Sequence, residues 1–129
     1  MIYLDTSVAL AHLLAEDRGP PDSLWAEELL SSRLLEHELW NRLHAAGFAG
    51  SHGDAARLLL ARVTFLELER VVLERALQPF PTPVRTLDAL HLATAGFLRE
   101  RGHEVALATY DERLAEVARG MGLTLFDGL

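Results

Sequence analysis

Four acidic residues stand at or near points where a strand gives way to a helix: Asp5, Glu38, Asp88 and Asp111. An ionised carboxylate only accepts hydrogen bonds, so alone it can cap a helix, pair with a cation or ligate a hard metal ion. Gathered in one cleft, such groups repel. Two carboxylates about 4 Å apart cost roughly 1 kcal/mol in water and roughly 4 kcal/mol near a protein surface. A fold that holds four together needs cations, and oxygen ligands without thiolate select Mg2+ or Mn2+. That combination activates water and supports in-line displacement at phosphorus. Kept apart, the same residues are two helix caps, a surface Glu and a helix-start Asp, and spacing alone leaves both readings open.

The elements that must position them can be taken in chain order. Ile2-Tyr3-Leu4 reads as a short buried strand, which puts Asp5 at its carboxyl end, the edge where open α/β sheets bind ligands. Thr6 and Ser7 are expected to accept from the first amides of a helix over Val8 to Ala15. Glu16 to Pro21 is a turn. Asp22 or Ser23 is expected to cap a second helix reaching about Leu30, followed by a connection over Ser31 to Leu35 with room for a brief strand. A third helix covers Glu36 to Ala46, with Leu35, Leu39 and Leu43 as its apolar stripe. Glu38 shares another face with Asn41 and Arg42, whereas Glu36 points nearer the Leu39, Trp40 and Leu43 side. Gly47 to Gly50 ends this helix, and Ser51-His52-Gly53-Asp54 resembles a capping box opening a helix to about Arg62.

Val63 to Leu68 is a second clear strand and Glu69 to Leu77 a helix. Pro79, Pro81 and Pro83 force an extended connector. Thr86 is expected to cap a long helix to about Arg101, with Asp88 in its first turn. Glu104 to Thr109 is a strand, Asp111 to Arg119 a helix stopped by Gly120 and Gly122, and Leu123 to Phe126 a last short strand. Strands alternating with helices predict a parallel sheet covered on both faces. Right-handed crossovers place all the strand carboxyl ends on one edge, where the acids would meet.

Composition narrows the chemistry. The chain has 129 residues, 50% hydrophobic and 24% charged, which predicts one domain over 1–129. It has no cysteine, which excludes disulfides, thiolate metal sites and cysteine nucleophiles. All twelve basic residues are arginine, so no catalytic lysine exists, and neither a receiver domain nor a P-loop enzyme fits. A haloacid-dehalogenase-type phosphatase wants an acid two residues after Asp5, where Ser7 stands. The net charge is -7, or -3 with the four acids set aside, so nucleic acid would need metal or a local arginine patch. Arg33, Arg42, Arg85 and Arg113 flank the acids and are candidates for such a patch. His91, one turn after Asp88, reads first as a core or supporting residue, and Trp25 and Trp40 as core or interface. No apolar run is long enough to span a bilayer and no leader pattern opens the chain, so a cytoplasmic location is expected.

Four segments, YLDTSVAL, SSRLLEHELWNRL, TLDALHLATA and ATYDERLAEVARGMGL, occur in an order that resembles PIN-domain ribonucleases, specifically VapC-type toxins of toxin–antitoxin pairs. The resemblance implies a three-layer α/β/α fold around a parallel sheet of about five strands. It implies a Mg2+- or Mn2+-dependent endoribonuclease that cleaves RNA with a metal-activated water. Carried over by motif, Asp5, Glu38, Asp88 and Asp111 are the catalytic and metal-binding acids, with Thr6, Ser7 and Thr109 as polar support. Glu36 lies two residues from Glu38, and the Glu-Leu-x-x-Arg-Leu register favours Glu38. An antitoxin of the VapB kind on a separate chain and a homodimer are implied as partners. Such an antitoxin would bring an arginine into the acidic cleft and lay apolar residues near Leu13, Leu14 and Trp25. Two alternatives stand: a catalytically silent binding module of the same fold, and another metal-dependent phosphoryl-transfer enzyme.

Overall fold

Every side chain of Ile2–Leu4 (β1) is buried, the mark of a strand covered on both faces. In the computed structural model, which describes residues 1–15 and 19–129, β1 is the middle of a five-stranded sheet. Its partners are Leu29–Ser32 (β2), Val63–Leu66 (β3), Ala106–Ala108 (β4) and Thr124–Leu125 (β5), in the order β3-β2-β1-β4-β5. All four pairings are parallel. The chain winds outward from β1 through β2 and β3, then returns to β4 on the other side of β1. The gap between the carboxyl ends of β1 and β4 is therefore the topological switch point, where an α/β sheet opens a crevice.

Among the described residues six helices cover the sheet: Thr6–Leu13 (α1), Leu34–Ala45 (α2), Ala49–Leu60 (α3), Arg70–Ala76 (α4), Thr86–Glu100 (α5) and Glu112–Gly120 (α6). Strand alternation sorts them into two layers. Ile2 and Leu4 join a core with Val8, Leu35, Leu39, Leu43 and Leu59 from α1 to α3. Tyr3, between them, joins a second core with Leu92, Leu98, Leu114 and Val117 from α5 and α6. The predicted stripe on α2 is fully buried at all three leucines, each contributing about 1.5–3 kcal/mol of burial.

Three sequence expectations are corrected. The helix expected from Asp22 or Ser23 to Leu30 is a 3-10 turn over Asp22–Ala26, and Leu29 to Ser32 is a central strand. Leucine and serine are weak strand formers, but burial between two strands and two helix layers overrides propensity. Ser31 keeps its buried hydroxyl satisfied by donating to the Leu4 carbonyl at 2.9 Å. The expected capping box does not form: α3 begins at Ala49, the Ser51 hydroxyl donates back to the Phe48 carbonyl, and Asp54 pairs with Arg57 at 3.0 Å. Thr86 is the first helical residue of α5, whose N-cap position is Arg85. Of the turn expected over Glu16 to Pro21, Glu16, Asp17 and Arg18 lie outside the described residues.

Candidate active site

Asp5 ends β1 and caps α1, accepting from the Ser7 amide at 3.4 Å, so Thr6 and Ser7 are the first helical residues rather than the cap. Its backbone amide continues the ladder onto the Ala108 carbonyl of β4. Thr109 follows β4 and reaches across: its hydroxyl donates to Asp5 Oδ2 at 2.8 Å and accepts the Asp111 amide at 3.0 Å. Ser7 donates to the same Oδ2 at 2.6 Å and accepts the Tyr110 amide at 3.0 Å. Two hydroxyls thus fasten the ends of β1 and β4 together across the switch point. Asp111 then caps α6, with Oδ1 accepting from the amides of Arg113 and Leu114 at 3.0 and 3.2 Å.

Glu38 comes from the second turn of α2. Its Oε1 accepts from the Thr6 hydroxyl at 3.2 Å and from His91 Nε2 on α5. Glu36 does not join it and pairs with Arg33 at 3.6 Å. Asp88 lies in the first turn of α5. All four acids line one cleft of about 430 Å3, together with Thr6, Ser7, Asn41, Arg42 and Arg85. A second cleft of about 420 Å3, lined by Arg85, Asp88, Asp111 and Arg113, runs on from it past α6. Arg33 lines neither cleft; its guanidinium donates to Glu67 at 2.7 Å and lies over the Phe65 ring.

Three of the carboxylates divide their oxygens the same way. Asp5 Oδ2, Glu38 Oε1 and Asp111 Oδ1 take the donors, and among the described residues none reaches Oδ1, Oε2 and Oδ2. Among the described residues no side-chain or capping donor reaches Asp88, and burial, with the Asp5 and Asp111 charges behind it, raises its carboxyl above the usual value. The acids therefore sense one another, and the unpaired oxygens are hard donors of the kind Mg2+ and Mn2+ take. Among the described residues no three acids or histidines close a ready cage. An open cleft with spare oxygens instead suits an ion that binds through a few carboxylates and keeps its waters.

Residues 2–120 match the PIN domain family model. The chain belongs to the PIN-domain family. Relatives from Mycobacterium tuberculosis agree: Ribonuclease VapC35 is 33% identical, the alignment covering 97% of this chain and 95% of the relative. Ribonuclease VapC46 is also 33% identical, over 96% and 95%, and Ribonuclease VapC47 is 32% identical, over 95% and 93%. All four acids of this PIN domain fall inside the matched span, and the three-layer fold with its parallel five-stranded sheet is as the motifs implied. No described helix of the PIN domain is long and apolar enough to cross a membrane.

Sequence reading missed Tyr3 and the company His91 keeps. His91 is 2% exposed, and its Nδ1 meets the Tyr3 hydroxyl at 2.7 Å, while that hydroxyl accepts the Ser32 amide at 3.1 Å. Burial works against a charged His91, but the Glu38 hydrogen bond and the surrounding acids outweigh it, so the ring holds a proton more firmly than free imidazole. Burial also raises the Tyr3 phenol, which stays protonated. One signal was available: a tyrosine in a strand buried on both faces must find a polar partner.

Proposed function

We propose that this PIN domain, as a single unit over 1–129, is a Mg2+- or Mn2+-dependent endoribonuclease acting in the cytoplasm as the toxin of a toxin–antitoxin pair. The observation that carries the reading is the meeting of Asp5, Glu38, Asp88 and Asp111 in one cleft, with carboxylate oxygens that no described donor takes. The ribonuclease names of its mycobacterial relatives support it.

Asp5, Glu38, Asp88 and Asp111 would hold the divalent ion, whose charge, when bound, polarises water and offsets negative charge building on the phosphate. The protein's own part is placement. Thr109 and Ser7 keep Asp5 fixed, Thr6 and His91 keep Glu38 fixed, and the α6 amides keep Asp111 fixed. Arg42, Arg85 and Arg113, all exposed on the cleft walls, hold phosphates on either side of the scissile one. Water attacks phosphorus, the bond to the 3′ oxygen breaks, and that oxygen leaves as a hydroxyl. The products therefore carry a 5′ phosphate and a 3′ hydroxyl. Attack by the RNA's own 2′ hydroxyl would instead leave a cyclic phosphate.

Incubating the purified protein with total RNA and Mn2+ and mapping the ends tests this directly. Cleavage with 5′ phosphates supports the reading. Binding without cleavage would favour the silent module.

The cleft also explains how a partner would inhibit it. A guanidinium pairs with a carboxylate through two parallel bonds, so an antitoxin arginine would occupy the acids. Its apolar residues fit the shallow groove of about 250 Å3 lined by His12, Leu13, Trp25, Leu58, Leu59 and Arg62. Exposed Val71, Leu73 and Leu77 on and just after α4 support self-association as a dimer.

A further inference from the structure

Glu38 is reached by a line of hydrogen bonds that starts in the buried interior. The Ser32 amide donates to the Tyr3 hydroxyl, which meets His91 Nδ1, while His91 Nε2 faces Glu38 Oε1. Tyr3 is 0% and His91 2% exposed, and the two rings meet edge to face with centroids 5.8 Å apart. Two of the three links have one workable direction, and the Tyr3–His91 link follows the ring's charge. A backbone amide can only donate, so the phenol oxygen accepts from Ser32. An ionised carboxylate can only accept, so Nε2 carries the proton toward Glu38 whether the ring is neutral or charged. In the neutral ring Nδ1 is then bare and takes the phenol proton. The line begins in β2, passes through the central strand and α5, and ends on α2. It thus ties the carboxylate to three elements that do not carry it.

We propose that Tyr3 and His91 are positioning residues for the proposed nuclease site: they hold Glu38 Oε1 from the interior so that Oε2 alone faces the cleft. Thr6 donates to the same Oε1 at 3.2 Å, from the residue after Asp5. The line therefore also registers Glu38 against Asp5. Outer-shell partners that orient a ligand typically affect metal affinity or activity by about 10–100-fold. This inference rests on the nuclease reading for its kinetic arm only.

The test uses the full chain. In the metal-free protein, nitrogen NMR of the His91 ring, assigned by difference with His91→Gln, reads the tautomer. The expected result is a protonated Nε2 whose signal moves in Glu38→Ala, and an Nδ1 signal that moves in Tyr3→Phe. Titration with Mn2+ should show affinity about 10-fold weaker in His91→Leu, and RNA cleavage should show kcat falling by a similar factor with KM little changed. His91→Gln places an amide N–H where Nε2 stood, so it should recover most of both losses. A packing role predicts the opposite ranking, since leucine fills a buried apolar site better than glutamine. A bare Nε2, or His91→Leu equal to wild type in Mn2+ affinity, or glutamine no better than leucine, overturns the proposal. Tyr3→Phe keeps the ring and tests the line where a histidine variant fails to fold. If the wild type cleaves no RNA, the nuclease reading fails while the ring signals and Mn2+ affinity still decide this one.

Discussion

Asp5 and Glu38, an inner pair, enter the cleft braced by side-chain hydroxyls and a buried ring; Asp88 and Asp111, an outer pair, enter it from the first turn of α5 and the cap of α6. Asp5 is 7% exposed and carries three protein donors on one oxygen, from Ser7 and Thr109. Glu38 is backed by Thr6 and a fully enclosed histidine. Asp111 is exposed, its carboxylate accepting from the first amides of its own helix and its backbone amide held by Thr109. Among the described residues Asp88 has no donor of that kind, and burial and its neighbours push its carboxyl upward. The inner pair is immobilised by hydroxyls and a ring, which are neutral or positive partners. The outer pair is left with unrelieved negative charge beside the arginines Arg85 and Arg113. The contrast assigns precision to the inner acids and charge capture to the outer ones.

The largest break in that contrast should come from Asp5→Asn. It keeps the shape but removes the charge at the switch point, and cleavage rates should fall by more than the roughly 10–100-fold that a supporting residue costs. Thr109→Val should come next, with a loss of about 10-fold, because it removes the hydroxyl joining Asp5 to the Asp111 amide. Glu36→Gln should leave most activity, since Glu36 faces Arg33 and not the cleft.

The outer pair is best probed through stability. Because the folded-state value of Asp88 lies above its unfolded value, the native state keeps that proton longer. The resulting stability is present below the ordinary carboxylate range and is lost as pH rises through the raised folded value. Asp88→Asn in EDTA should therefore melt above wild type at neutral pH, and the gap should close on acidification. Mn2+ should reverse the ranking by stabilising wild type alone, by about 2.7 kcal/mol at a hundredfold excess over Kd. Equal melting temperatures at all pH values would show that neither burial nor the neighbouring acids penalise the Asp88 charge. The smallest effect belongs to Arg113→Ala, which should raise KM a few-fold and lower the salt slope of RNA binding by about one.

Most of the fold was legible because strands and helices announce themselves by length and breakers, as β1, β3, α2 and α5 do. β2 was not, since Leu29-Leu30-Ser31-Ser32 has neither alternation nor β-branched residues, and only its place between β1 and β3 makes it a strand. The four acids were legible as a set from their junctions and motifs. Their partners were less so. Thr6, Ser7 and Thr109 stand beside acids in the sequence, but the Tyr3–His91 contact spans 88 residues and no local pattern encodes it. Arg33 looked equal to Arg85 because flanking an acid in sequence says nothing about which side of the sheet edge a side chain takes.

The central claim is that the inner and outer acids form one metal-dependent ribonuclease site. Its most direct measurement is end-mapped cleavage of total RNA by wild type and Asp5→Asn, each with Mn2+ and with excess EDTA. Wild type with Mn2+ should give discrete cuts bearing 5′ phosphates, and the other three reactions none. Undiminished cleavage in EDTA, or equal cleavage by Asp5→Asn, would contradict the central claim.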